Sequence, residues 1–180
     1  MNPAPNLVLV GPMGAGKTAI GRRLADRLGL PFTDMDAQIE ARTGATVSAL
    51  FETEGEAAFR VRENAMLAEL LAGPSGVISS GGGAVLAQDN RRAMREGAFV
   101  VWLDIGVEAQ LLRLARDRTR PLLQREDREA VLRALAAQRT PLYAQVADLR
   151  YPTDGMAPQD AALSLARLVD AQWQRGEAAA

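Results

Sequence analysis

Gly11-Pro12-Met13-Gly14-Ala15-Gly16-Lys17-Thr18 decides the fold of this chain, because it matches G-x-x-x-x-G-K-[ST] without interruption. Just upstream, Leu7-Val8-Leu9-Val10 is a short apolar run rich in β-branched residues. Just downstream, Ile20, Leu24 and Leu28 recur on one helical face. Strand, loop and helix thus follow in the order a phosphate-binding loop requires. The glycines bring backbone amides against phosphate oxygens, and Lys17 adds a full positive charge where a helix N-terminus already favours an anion. The Thr18 hydroxyl is left as an oxygen ligand for Mg²⁺.

Beyond this loop the pattern keeps alternating. Gly29 stops the first helix, and Pro31-Phe32-Thr33 leads into Asp34-Met35-Asp36, read as a short strand ending in two acidic groups. Residues 37–53 read as two short helices broken at Thr43-Gly44, and 55–72 as a stronger helix with Phe59, Met66, Leu67, Leu70 and Leu71 on its apolar stripe and Arg60 beside it. Val77-Ile78-Ser79 is a brief strand that leaves through Gly81-Gly82-Gly83, and a helix covers about 88–96. Phe99 to Leu103 is a continuous apolar run, the mark of a parallel strand covered on both faces. A helical stretch over 107–114 gives way to Arg113, Arg116, Arg118 and Arg120 before Pro121, which predicts a mobile lid over 113–127. Helices over 127–144 and 158–173, with a short strand at 149–151 between them, complete the pattern ahead of an Ala-rich tail. Alternating strands and helices imply an α/β domain spanning 1–180, with a parallel sheet, helices on both faces and ligands at the carboxyl ends of the strands.

Composition narrows the chemistry. With 180 residues and 48% hydrophobic content the chain builds one good core, and a net charge of -1 supplies no global basic field for nucleic acid. Cysteine and histidine are both absent, so base chemistry falls to carboxylates. The start, Met1 to Asn6, lacks the charged and apolar regions of a leader, and no stretch is long and apolar enough for a membrane span; the expectation is a cytoplasmic protein without membrane partners. A monomer is expected, since no long exposed apolar surface shows in the pattern.

A P-loop alone does not separate kinases from hydrolases or switches. The strand at 77–79 runs into serine and glycine, so no Walker-B carboxylate stands there, and Asp34 and Asp36 are the nearest substitutes. Read on a strand they share one side, where one can help Thr18 hold Mg²⁺ and the other can take a proton from an attacking hydroxyl. Helix capping is the competing reading for Asp36, an exposed ion pair with Glu56 or Glu63 for Arg60, and a solvated helix face for Arg139.

The loop at 11–18, Asp34-Met35-Asp36, the stretch from Phe51 through Gly55-Glu56 to Phe59-Arg60, Gly81-Gly82-Gly83, Arg120-Pro121-Leu122-Leu123 and Arg139-Thr140-Pro141-Leu142-Tyr143 together resemble the shikimate kinases, in the nucleoside-monophosphate-kinase branch of P-loop proteins. The similarity covers nearly the whole chain. It implies a P-loop NTPase fold with a five-stranded parallel sheet in the order 2-3-1-4-5, and transfer of the ATP γ-phosphoryl group to the 3-hydroxyl of shikimate, with Mg²⁺. By that resemblance 34–63 is the substrate-binding region. Arg60 and Arg139 grip the shikimate carboxylate, Gly81, Gly82 and Gly83 line the ring, and Asp36 binds the hydroxyl as base. Gly14, Ala15, Gly16, Lys17, Thr18 and Ala19 hold the nucleotide, Thr18 and Asp34 the metal. Lys17 and Arg120 act on the transferring group, and Arg113 or Arg116 with the Thr153 to Pro158 loop borders adenine. A gluconate or nucleoside-monophosphate kinase is the alternative within the same branch.

Overall fold

The structure is a computed structural model that describes residues 2–115 and 127–175; Arg116, Arg120 and most of the expected lid lie outside the described residues. Five strands form one parallel sheet: β2 (Asn6–Val10), β3 (Phe32–Asp34), β4 (Val77–Ser79), β5 (Ala98–Asp104) and β6 (Leu149–Pro152). Their order across the sheet is β3-β4-β2-β5-β6, which is the expected 2-3-1-4-5 once counted within the sheet. Register sets Leu9 beside Ser79 and Val101, and Asp34 beside Ser79, so the ends of β2, β3 and β4 come level at one edge.

Side-chain alternation splits the core into two layers. Leu7 and Leu9 with Val101 and Leu103 face α1 (Lys17–Leu28) and α7 (Pro158–Gln172), where Ile20, Leu24, Leu165 and Val169 cover them. Val8, Val10, Val100 and Trp102 face the other way, against Phe59, Met66 and Leu67 of α3 (Val47–Ala72), Met94 of α4 (Gln88–Gly97) and Tyr143 of α6 (Arg128–Val146). Among the described residues the remaining α-helices are α2 (Met35–Thr43) and α5 (Val107–Arg113). Helix α3 changes course at Gly55, whose φ of 84° and ψ of 167° suit glycine and interrupt the helical turn.

Two local expectations are corrected. Residues 34–36 are not a strand: β3 ends at Asp34, and α2 begins at Met35 because Met35 and Ile39, four residues apart, are both buried in the core. The cap of that helix is therefore Asp34, whose Oδ1 accepts from Ala37 N at 3.2 Å, while Asp36 sits in the first turn. The chain ends also pair, β1 (Asn2–Ala4) running parallel to β7 (Trp173–Arg175), with Trp173 Nε1 donating to Ala4 O at 2.8 Å. Among the described residues no helix is long and apolar enough to cross a membrane.

Candidate active site

The loop between β2 and α1 closes under Gly16, which caps α1 with φ 92° and ψ 17°, a left-handed conformation that glycine reaches without strain. Lys17 Nζ donates to Gly11 O at 2.7 Å and Pro12 O at 3.0 Å, holding the ammonium over the loop. Thr18 Oγ1 donates to Asp34 Oδ2 at 2.6 Å, so the hydroxyl and the carboxylate expected to share a metal do meet. A cavity of about 260 Å³ opens here, lined by Gly14, Gly16, Lys17, Thr18, Ala19, Asp34 and Asp36 and closed by Ser79, Ser80, Gly81, Gly82 and Leu114. Ala15 is fully buried beneath it.

A second cavity of about 150 Å³ lies against the first. Asp36, Gly81 and Gly82 line both. Its far wall carries Arg60, Glu63 and Arg139 with the rings of Phe51 and Phe59. The two arginines reach it for different reasons. Arg60 leaves α3 beside its apolar stripe and lies over Phe51 and Phe59, its Cζ 5.7 and 5.5 Å from the ring centroids. Arg139 is carried by the buried face of α6 and is 7% exposed, so a solvated helix face is not its setting.

Both ion pairs considered for Arg60 form. Nη1 donates to Glu63 Oε2 at 2.7 Å, while Nη2 and Nε donate to Glu56 Oε1 at 3.0 and 3.3 Å. They are not equivalent, because the Glu63 side chain is 1% exposed and that of Glu56 59%. Burial pushes the Glu63 carboxyl above the usual range; Arg60 pulls it back by charge and hydrogen bond, Asp36 adds to the rise and Arg139 opposes it. These four groups thus form one electrostatic unit. Burial opposes the Arg60 charge, yet Glu63 and then Glu56 hold its guanidinium above its ordinary pKa.

The triple glycine makes room for this unit. A Cβ on Gly81 would stand 2.5 Å from Glu63 Oε1, and one on Gly83 2.6 Å from Arg60 Cζ, whereas one on Gly82 would make only ordinary contacts. Gly82 has another role: its carbonyl accepts from Tyr143 Oη at 2.6 Å. Burial pushes the Tyr143 phenol up to about 12, with Arg139 pulling it down, so it stays a donor at working pH.

Arg113 Nη1 donates to Gly14 O at 2.9 Å and to Thr153 Oγ1 at 3.3 Å, and Nη2 donates to the carbonyls of Thr153 and Met156. It therefore joins the phosphate loop to the segment that runs to Pro158. Glu63, Phe51 and Tyr143 were not marked as site residues by sequence reasoning. Phe51 and Tyr143 do fall in stretches that carry the family resemblance, and Glu63 lies at i+3 from Arg60, which are the signals that pointed to them.

A glycine-bounded anion cradle at the carboxyl edge of a parallel sheet, sharing a wall with a small cavity that holds two guanidiniums, defines the P-loop small-molecule kinase class. Comparison with known proteins narrows this. The chain belongs to the shikimate kinase family, whose model, "Shikimate kinase", matches residues 13–170. A shikimate kinase of Xanthomonas campestris pv. campestris is 55% identical over 174 residues, covering 97% of each chain, and one of Xanthomonas oryzae pv. oryzae is 53% identical over 180 residues and the full length of both. The shikimate kinase of Acinetobacter baumannii, solved in complex with shikimate, superposes with a TM-score of 0.90 at 45% identity, covering 94% of this chain and 95% of that one.

Proposed function

We infer that this chain transfers the γ-phosphoryl group of ATP to the 3-hydroxyl of shikimate, giving shikimate 3-phosphate and ADP. The observation that carries this reading is Asp36, which lines the phosphate cavity and the acceptor cavity at once. A carboxylate there accepts a hydrogen bond from a hydroxyl seated between the two and takes its proton as the P–O bond forms. Arg60 and Arg139 present N–H forks to the acceptor's carboxylate, and Gly81 to Gly83 leave space for its ring. Lys17 and the loop amides hold the phosphates. Arg120 is assigned to the transferring group as a finger supplied in cis, and Arg113 or Arg116 with Pro158 to the adenine border. Arg113 supports this by already bridging Gly14 and Met156.

Thr18 and Asp34 offer two hard oxygen donors at the cradle, a set that fits Mg²⁺ with phosphate oxygens and water completing the shell. When bound, the ion neutralises charge on the phosphates. We further propose a cytoplasmic monomer. Its support is that among the described residues the large exposed apolar ones, Val61, Leu112, Leu163 and Leu168, are spread over α3, α5 and α7.

The test is ADP release from ATP and Mg²⁺ with shikimate, quinate, gluconate and AMP as acceptors. Shikimate is expected to give the highest kcat/KM by a wide margin. Equal or faster turnover of gluconate or AMP would overturn the assignment.

A further inference from the structure

The turn that follows the triple glycine is hung from α4. Arg91 Nη1 donates to Val85 O at 2.7 Å and Leu86 O at 2.9 Å. Beside it the buried Asn90 donates from Nδ2 to Ala84 O at 2.9 Å and Asn64 Oδ1 at 2.8 Å. Two side chains of one helix thus fix residues 84–86, and through them the glycines of the acceptor cavity. Arg91 also lines a separate groove of about 440 Å³ between α4 and α6, together with Gln88, Arg92, Arg95, Glu96 and Gln145. None of these residues lines either cavity of the active site.

The groove's chemistry is that of an anion site. Three guanidiniums and one carboxylate line it, and with Asp89, which pairs Arg92 at its rim, the local excess is one positive charge on a chain whose net charge is -1. Among the described residues Arg92 is engaged only by Asp89, in a pair 68% and 83% exposed, which opens at little cost. Among the described residues no ion pair holds Arg95. Arg91 uses Nη1 alone for both tethers, leaving Nε and Nη2 for a ligand. Guanidinium forks match phosphate oxygens, and the amides of Gln88 and Gln145 suit hydroxyls next to the phosphate.

We propose that this groove binds a small phosphomonoester dianion, and that a phosphate taken by Arg91 Nε and Nη2 pulls the guanidinium toward the groove and stretches its Nη1 tethers to Val85 and Leu86, loosening the glycine turn and weakening acceptor binding. The binding half stands on the groove alone; the kinetic half rests on the proposed acceptor site. The two are tested separately.

In the first arm, glycerol 3-phosphate and inorganic phosphate are titrated calorimetrically into protein saturated with ADP, Mg²⁺ and shikimate, so that the catalytic phosphate cradle and carboxylate clamp are filled. The wild type should bind glycerol 3-phosphate more tightly than inorganic phosphate, and Arg92→Ala/Arg95→Ala should bind it about tenfold more weakly. No saturable binding, or equal binding by the double variant, overturns the site; tighter binding of inorganic phosphate overturns the choice of an ester. In the second arm, at saturating ATP, glycerol 3-phosphate should raise the shikimate KM about fivefold in the wild type and leave the double variant unmoved. Binding without any change in KM overturns the coupling through Arg91. A basal kcat near wild type in the double variant is expected, since neither residue touches the active site.

Discussion

Replacing Arg60 by lysine separates charge from geometry at the acceptor clamp. Arg60 spends Nη1 on the buried Glu63 and Nη2 and Nε on the exposed Glu56. An incoming carboxylate has to displace one of these, and Glu56 is the one to yield, because an exposed pair is worth about 0.2–1 kcal/mol. Stripping Glu63 of its cation would instead leave a buried charge uncompensated, at roughly 3–5 kcal/mol. Lysine keeps the positive charge, so Glu63 stays neutralised and the fold survives. Its single ammonium goes to Glu63, and the Nε–Nη2 edge that would receive the acceptor is gone. One charge-assisted hydrogen bond is worth roughly 1.5–3 kcal/mol. At about 1.4 kcal/mol per decade, shikimate affinity should fall by about ten- to a hundredfold.

Nucleotide affinity should hold, because Arg60 does not line the phosphate cavity. Calorimetric titration of Arg60→Lys with shikimate and with ADP reads both, and a thermal melt near the wild-type Tm shows that Glu63 is still paired. A shikimate Kd within about twofold of wild type, against the decade expected, would refute the clamp. So would an equal loss for ADP, since that would place Arg60 in the general scaffold.

Glu56→Gln removes the competitor for the same edge, so shikimate should bind about two- to fivefold more tightly, read by the same titration. Asp36→Asn should cut kcat by about 10² to 10⁴ while ADP affinity stays put; unchanged turnover would dismiss Asp36 as the base. Tyr143→Phe leaves the Gly82 carbonyl without its donor and should cost about 1–3 kcal/mol in urea unfolding, with a raised shikimate KM. Because Glu63 binds its proton more tightly folded than unfolded, the wild type should lose stability as pH rises above about 4.5 through the raised native value. Glu63→Gln should lack that slope, and parallel stability curves for the two proteins would deny the burial cost.

The sheet and the phosphate loop were legible because they rest on local pattern. Leu7 to Val10 and Phe99 to Leu103 are apolar without a break, which only a doubly covered parallel strand needs, and the glycine loop follows the first of them. What was misread or missed depends on distant partners. Asp34-Met35-Asp36 alternates polar and apolar like a strand, but Met35 and Ile39 both find the core and a cap at Asp34 starts the helix one residue later. The pairing of 2–4 with 173–175 joins the two ends of the chain through Trp173, whose indole also stacks on Phe99 at 6.2 Å. Nothing within a few residues of either end signals it. Glu63 three residues after Arg60 reads as an ordinary exposed helix pair. Its burial comes from the glycine turn closing over it, and Gly81 and Gly83 are where that closure is felt.

That closure explains how a clamp for an anion can exist before the anion arrives. Two guanidiniums facing each other across a small cavity would repel and draw in water. Here Glu63 and Asp36 stand among them, so the protein itself balances two positive groups with two negative ones. Its members are held by α2, α3 and α6, and the triple glycine lets them approach without a side chain between. Asp36 belongs both to this balance and to the phosphate cavity, so under the proposed function a shift of the acceptor's carboxylate against Arg60 and Arg139 would be felt at the carboxylate proposed as base. On the proposed assignment acceptor recognition and phosphoryl transfer would be coupled through that single side chain, so a kcat loss in an Arg60 or Arg139 variant need not imply direct contact with ATP.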